Sequence, residues 1–388
     1  MIASHHLNIP YSFMNNEKKK IGIVTIHRIN NYGAVLQAYA LNSYLNSLGH
    51  HAETIDFRTY RVAESYRLYS PVRRPLDIVR NLQSLCYKKK LLTRHRRMND
   101  FIEKNINLSK DVYFNNDELA KADLDYDYYI CGSDQIWNTY CDNYDDAFIL
   151  AFARDKGIRI SYAASLGMAS INKNLEQRFK DELSGFRALS VREQNAVDVI
   201  SNISGMKAIQ VMDPVFLHSA DEWQQVMSTI IQPKKPYICF YSVHGGLPGM
   251  RNYVKQLSKL FGLPIVVINK NLREALYKNI KRYDAGPAEF VSLIQGAQYV
   301  FTNSFHGCAF SIIFKKKFQV FVAGTASQGT TSRIYSLMNT LGLADRITYI
   351  DKDPSSMGND IDWDNVYSML SPLIESSKNF IDESLRAK

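Results

Sequence analysis

The sequence predicts an α/β protein of two doubly wound domains, each built on a parallel sheet and facing the other across a cleft. Three observations lead there. The chain has 388 residues, and at roughly 100–200 residues per domain that length calls for two compact units. Short apolar runs alternate with stretches of helical apolar spacing, and each run ends in a polar or glycine-containing loop. The alternation occurs twice, once on either side of the polar, proline-bearing stretch Asp221–Pro236.

The elements follow in order. Residues 1–20 lack periodicity and read as an extension. Ile21–Ile26 is a buried strand, and after the loop His27–Gly33 the series Val35, Ala38, Leu41, Leu45 and Leu48 has helical spacing up to the stop at Gly49. His51–Phe57 is a second strand, which completes a βαβ unit. Further on, Leu76, Val79, Leu82, Leu85 and Cys86 recur at helical intervals and predict a helix with a packed stripe and a cationic face. Tyr128–Cys131, Ile158–Ala164 and Ala208–Met212 complete the strands of a first domain at 21–220. Tyr237–Tyr241, Pro264–Ile268, Tyr299–Thr302 and Phe318–Val322 are the strands of a second at 237–350, with helices near 251–261, 287–296 and 307–315. A helical tail, 351–388, closes the chain.

Composition narrows the class of protein. Hydrophobic residues make up 46%, charged residues 22% and aromatic residues 12%, which suits a folded globular chain and excludes a disordered or collagen-like one. The longest apolar candidate, Phe305–Phe314, is interrupted by His306 and Ser311 and falls short of a bilayer span. The first residues show no basic start, apolar core or small-residue cleavage site, so a cytoplasmic location is expected. Cys86, Cys131, Cys141, Cys239 and Cys308 are scattered without zinc-site spacing and read as reduced thiols; no metal ligand set is evident. The net charge of +9 is concentrated between Arg58 and Arg97, where twelve basic residues stand against Glu64 and Asp77. That segment is a solvated face, a nucleic-acid footprint, or a dock for an anionic membrane surface, where each Lys or Arg contributes about 1 kcal/mol.

In open α/β sheets ligands bind beyond the carboxyl ends of strands, so the loops there carry the candidates. Thr302-Asn303-Ser304-Phe305-His306-Gly307 ends a strand and opens a helix, with Ser304 suited to the N-cap. His306 then sits in a first helical turn that favours an anion, where a near-neutral imidazole takes or gives a proton. The alternative is a core histidine bonded to a carbonyl. Gly132-Ser133-Asp134-Gln135-Ile136-Trp137-Asn138 offers a carboxylate, amides, a hydroxyl and an indole, the groups that hold a sugar; it reads equally as a turn with Trp137 in the core. The loop His27–Gly33, with Asn31 and Tyr32, precedes a helix, but neither G-x-G-x-x-G nor a P-loop occurs. Arg192, in Ser190-Val191-Arg192-Glu193, and Arg333 are able to grip a carboxylate or phosphate in a bidentate way, although most arginines are surface residues.

Taken together, Asn31-Tyr32-Gly33-Ala34, Gly132 to Asn138, Ser190-Val191-Arg192-Glu193, Asp213-Pro214, Thr302 to Gly307, and Ser332-Arg333-Ile334 leading to Leu341-Gly342-Leu343 resemble the polysaccharide pyruvyl transferase family. The resemblance implies two Rossmann-like domains similar to those of GT-B glycosyltransferases. It implies phosphoenolpyruvate as co-substrate, with no other cofactor and no metal, and a pyruvate ketal placed across two hydroxyls of a sugar. Carried over to these positions, His306 is the acid/base and Arg192 a donor ligand. Several members have an arginine two positions before the histidine; this chain has Ser304, and Arg333 is the candidate replacement cation, with Asn303, Ser304 and Gly307 completing the donor site. Asn31, Tyr32, Asp134, Gln135, Trp137 and Asn138 would bind the acceptor. The acceptor is expected on a polyprenyl diphosphate at the inner membrane face in capsule or exopolysaccharide synthesis, with Lys88, Lys89, Lys90, Arg94, Arg96 and Arg97 docking lipid or diphosphate. A nucleotide-sugar glycosyltransferase is the enzymatic rival. A nucleic-acid-binding protein is the other, but no nucleic-acid motif accompanies the basic segment and no nucleic-acid partner is expected.

Overall fold

The computed structural model describes residues 17–59, 72, 75–141, 144–243, 247, 249–268, 280–322, 331–349 and 360–386. The first sixteen residues of the expected extension, and Arg61, Arg67, Arg73 and Arg74 of the basic segment, lie outside them. Lys20 already belongs to the first strand.

The first half runs β1 Lys20–Val24, α1 Tyr32–Ser47, β2 His51–Phe57, α2 Pro75–Cys86, α3 Lys88–Asn105, β3 Leu108–Tyr113, α4 Asn116–Lys121, β4 Tyr128–Cys131, β5 Ile158–Ala164, α5 Lys173–Leu183, β6 Ala188–Val191, α6 Gln194–Ser204 and β7 Ala208–Gln210. After α7 Ala220–Gln225, the second half runs β8 Ile238–Tyr241, α8 Met250–Phe261, β9 Ile265–Val267, β10 Ile280–Lys281, α9 Pro287–Gln295, β11 Tyr299–Thr302, α10 Phe305–Ile313, β12 Lys317–Phe321, α11 Ser332–Thr340, β13 Ile347–Thr348 and α12 Trp363–Leu385.

The strands form two parallel sheets, ordered β3-β2-β1-β4-β5-β6-β7 and β10-β9-β8-β11-β12-β13, which is the doubly wound α/β class expected. Central strands such as β4 and β8 are buried along their whole length, as parallel strands covered by helices on both faces must be. Each sheet reverses direction of winding once, between β1 and β4 in the first and between β8 and β11 in the second. No helix among the described residues is long and apolar enough to cross a membrane.

The two sheets share an apolar core. Tyr32, Val35 and Leu36 of α1 and Met98, Phe101 and Ile102 of α3 join one buried cluster with Phe290 of α9 and Phe310 of α10. An interface this apolar fixes the facing of the two halves. Trp223, inside the stretch that divides the two series, is fully buried there, and its helix α7 is opened by a capping box of Ser219 and Glu222. The last helix spans both halves: Val366 and Leu370 pack with the second, while Phe380, Ile381 and Leu385 pack against Ile21 and Ile23 of β1.

One expectation is overturned in part. Leu82, Leu85 and Cys86 do not pack: Leu82 is 57% and Leu85 53% exposed, and Cys86 is exposed; the side chains of Leu76 and Val79 lie outside the described ones. The following helix α3 buries Leu91, Met98, Phe101 and Ile102.

Candidate active site

Both winding reversals open onto the same cleft, of about 1050 Å³ including its mouth. Ile29 and Asn31 enter it from the loop after β1, Asp134 and Gln135 from the loop after β4, Val243 from that after β8, and Asn303 and His306 from that after β11. Strand order thus gathers loops far apart in sequence at the crevice where parallel sheets bind ligands.

His306 stands at the start of α10. Ser304 is extended at φ −107°, and its hydroxyl accepts from Gly307 N at 3.4 Å, satisfying one of the orphan N–H groups of the helix. The ring is 6% exposed. Its Nε2 lies 3.6 Å from Oδ2 of Asp213, across the cleft at the end of β7, and makes no hydrogen bond. Gly33 of α1 packs on the imidazole so closely that a Cβ would come 2.1 Å from Nδ1; only glycine allows the helix start to approach the ring.

Asp213 is the hub of the surrounding charges. It accepts from Arg192 Nη1 at 2.5 Å, Ser133 Oγ at 3.3 Å and Val215 N at 3.1 Å. Burial opposes its ionisation, but His306 and Arg192 outweigh burial and hold the carboxyl well below the usual range. Asp134, at φ 65° in the left-handed region, accepts from Arg192 Nη2 at 3.2 Å and lies 3.5 Å from Arg333 Nη1. Both guanidinium groups sit over the ring of Phe305, Arg192 at 4.6 Å and Arg333 at 6.0 Å. Burial first, then the neighbouring Arg192, pulls Arg333 down to about 10, still charged at neutral pH. The two arginines face Asp134 and Asp213, and the buried carboxylate of Glu193 acts on both of them, so the cluster carries no excess of positive charge. Nε of Arg192, Nε of Arg333 and Nε2 of Gln135 are buried without a hydrogen-bond partner, as is the acceptor Oε2 of Glu193. Buried donors of that kind demand an acceptor-rich ligand.

The model of the family described as polysaccharide pyruvyl transferase matches residues 31–322, most of the chain. The chain belongs to the polysaccharide pyruvyl transferase family. The match takes in Asn31, Asp134, Arg192, Asp213 and His306, whereas Arg333 lies beyond its end. No curated protein matches the transferase. Among solved structures, it is similar to the putative UDP-N-acetylglucosamine 2-epimerase of Listeria monocytogenes (12% identity, 95% of this chain and 90% of that one, TM-score 0.48). It is similar also to UDP-GlcNAc 2-epimerase from Neisseria meningitidis bound to UDP-GlcNAc (11%, 95% and 94%, TM-score 0.43) and to ADP-heptose lps heptosyltransferase II of E. coli (12%, 92% and 99%, TM-score 0.39).

The structure sorts the residues singled out from sequence. His306, Arg333, Asp134 and Gln135 line one cleft with Asn31 and Asn138, and Arg192 is joined to them through Asp134 and Asp213. Asn31 also caps α1, its Oδ1 accepting from Gly33 N at 3.0 Å. The transferase's own packing overturns two site assignments, Trp137 and Tyr32, and gives Asn303 and Gly307 structural partners. Trp137 is no stacking platform: it is fully buried, its indole donates to Phe148 O at 3.0 Å, and its ring meets Phe179 edge-on. Tyr32 is also fully buried, stacked on Phe290 at 4.7 Å with its hydroxyl donating to Ala285 O at 3.0 Å. Both ends of the Asn303 amide bind Val243, accepting from its N at 2.7 Å and donating to its O at 3.1 Å, so this side chain ties the loops after β8 and β11 together. The N–H of Gly307 is taken by Ser304, as the cap requires.

The basic dock is divided. Lys88, Lys89 and Arg96 are exposed. Lys90 donates to Lys281 O at 2.5 Å, Arg97 to Asp284 O at 2.8 Å and Asp284 Oδ2 at 3.2 Å, and Arg97 Nε lies 3.4 Å from Glu289. Arg94 lies over the Tyr32 ring at 4.6 Å and donates to Asn30 O. Lys90 and Arg97 are turned toward the second half of the transferase and Arg94 toward the loop before α1, where protein groups outcompete solvent for them. Asp213 and Gly33 are the site residues that sequence reasoning did not select; the Asp-Pro step at a strand end was the only local signal for Asp213.

Proposed function

We propose that the transferase moves the pyruvyl group of phosphoenolpyruvate onto two hydroxyls of a sugar in a cell-surface polysaccharide precursor, forming a cyclic ketal and releasing phosphate. The observation that supports this reading best is the unpartnered Nε2 of His306 beside Asp213, Arg192 and Arg333 in a cleft lined by amides and a carboxylate. Phosphoenolpyruvate carries a carboxylate and a phosphate, and the free donors of Arg192 and Arg333 suit such an acceptor-rich molecule. Asp134, Gln135, Asn31 and Asn138 line the same cleft, and their carboxylate and amide groups suit sugar hydroxyls.

The chemistry balances without a redox step. A proton adds to the methylene carbon and makes C2 electrophilic; one hydroxyl adds to C2, a second displaces phosphate, and the two hydroxyl protons replace the one consumed and leave with phosphate. His306 is the proton carrier in this scheme, and Asp213, 3.6 Å from its Nε2, offsets the positive charge the ring gains. The acceptor is proposed to be linked to polyprenyl diphosphate, with the enzyme in the cytoplasm at the inner face of the membrane.

Incubation with phosphoenolpyruvate and galactose- or mannose-containing acceptors, with mass spectrometry and phosphate release as readouts, tests the reading. The expected result is an acceptor heavier by one pyruvyl ketal, with turnover abolished in a folded His306→Gln variant. Thermal stabilisation by a nucleotide sugar but none by phosphoenolpyruvate would overturn it.

A further inference from the structure

Among the described residues, five of the eleven large hydrophobic side chains that stand exposed fall between Val72 and Leu92. Single exposed hydrophobics need no explanation, but a contiguous set does. Ile78, Leu82 and Leu85 follow one another at intervals of four and three residues, so they share one face of α2, and they are 50%, 57% and 53% exposed. Leu92, 46% exposed, continues the apolar surface onto α3. Of the described side chains of α2 only Ser84 is buried. Just past the end of the helix, Tyr87 meets the ring of Tyr283 edge-on at 5.0 Å.

The surroundings of this face say what covers it. Lys88 and Lys89 are exposed at the end of α2, and Arg96 is exposed one further stretch along α3. The sequence also places Arg80 within α2 and Arg73 and Arg74 just before it. A second copy of the chain docked here about a two-fold axis would set like charges against like. Anionic phospholipid headgroups match them, and the boundary of the acyl chains takes the three aliphatic side chains; that pairing of charge and apolar face is the property of a helix lying in a membrane interface.

We infer that α2 and the start of α3 form an in-plane membrane anchor, Ile78, Leu82 and Leu85 entering an anionic lipid surface with Lys88 and Lys89 at the headgroups. This rests on and deepens the peripheral location in the proposed function, and it moves the docking surface off Lys90, Arg94 and Arg97, which are engaged by Lys281, by Asn30 and Tyr32, and by Asp284.

The test is cosedimentation of the full chain with vesicles of phosphatidylcholine containing phosphatidylglycerol, against phosphatidylcholine alone. Binding to the anionic vesicles, weakened by salt, is expected. The exposed triple variant Ile78→Ser/Leu82→Ser/Leu85→Ser should lower partitioning at least about tenfold, and Lys88→Gln/Lys89→Gln roughly thirtyfold. Cys86 supplies a direct probe: in a Cys141→Ser background, an environment-sensitive dye on Cys86 should report an apolar setting when anionic vesicles are added. Equal binding to both vesicle types, unchanged binding by the triple variant, or a dye blind to bound vesicles would overturn the inference. So would a triple variant whose one effect is to turn a dimer into a monomer in sedimentation. The vesicles hold neither phosphoenolpyruvate nor acceptor, so absence of pyruvyl transfer in the enzymatic assay fails separately from absence of binding here.

Discussion

Replacing Asp213 by Asn keeps the shape but removes one charge and one acceptor. With the amide oxygen kept toward Val215 N, 3.1 Å away, the amide nitrogen stands where Oδ2 accepts from Arg192 Nη1 and Ser133 Oγ. What disappears is the carboxylate 3.6 Å from Nε2 of His306. At that separation, and an effective dielectric of about 20, a carboxylate and an imidazolium attract by about 4–5 kcal/mol. The remaining amide dipole recovers part of this, so a step that places a proton on His306 loses about 3 kcal/mol, or roughly two orders of magnitude in kcat. The KM for phosphoenolpyruvate should move far less, because Arg192 retains Asp134 at 3.2 Å as a second anchor. The assay is phosphate release against both substrates, with thermal melting to establish that the variant is folded. A folded Asp213→Asn enzyme whose kcat stays within about threefold of the parent, or whose loss appears only in KM, would refute the pairing of Asp213 with His306.

Three further outcomes are expected. Gly33→Ala puts a methyl 2.1 Å from Nδ1 of His306, and a displacement near 1 Å at a reacting group should lower turnover about a hundredfold while the circular dichroism spectrum is kept; parental turnover would show the ring to be free to move aside. Arg97→Ala removes the bonds to Asp284 and the contact with Glu289 and should cost about 1–3 kcal/mol in urea unfolding without changing vesicle binding. Burial opposes the ionisation of Asp56, yet hydrogen bonds from Arg58, His27 and Arg28 outweigh it, and Asp56, like Asp213, titrates below the ordinary carboxylate range. The folded chain therefore binds fewer protons than the unfolded one in acid. Stability should be fully present above the unfolded value of about 4 and lost as pH falls below it. A urea midpoint unchanged between neutral pH and about pH 3 would contradict this sign.

The loop that carries His306 was legible because its signals are local. An apolar strand, a serine able to cap and a helical apolar series lie within a dozen residues, and the structure puts β11, the Ser304 cap and α10 there. Trp137 was not legible: the same loop supplies groups for a sugar and groups for a core, and Phe148 and Phe179, which decide it, come from other elements. The basic segment misled in a different way. Its charge could be counted along the chain, but Arg94 and Arg97 face partners around Tyr32 and Asp284 that α3 reaches only after folding. The apolar residues of α2 have a helical period whether they meet a core or solvent, so periodicity found the helix and not its neighbour.

What residue order alone settled was the alternation of strand and helix, the parallel two-sheet class and the family signature, because each depends on spacing within a short window of chain. The pairing of Asp213 with His306, the fit of Gly33 to the imidazole, and the division of the cationic segment between an inner contact and an outer face were settled by folding. They join positions up to hundreds of residues apart, and the distance and burial between such positions exist only once two sheets have been brought face to face.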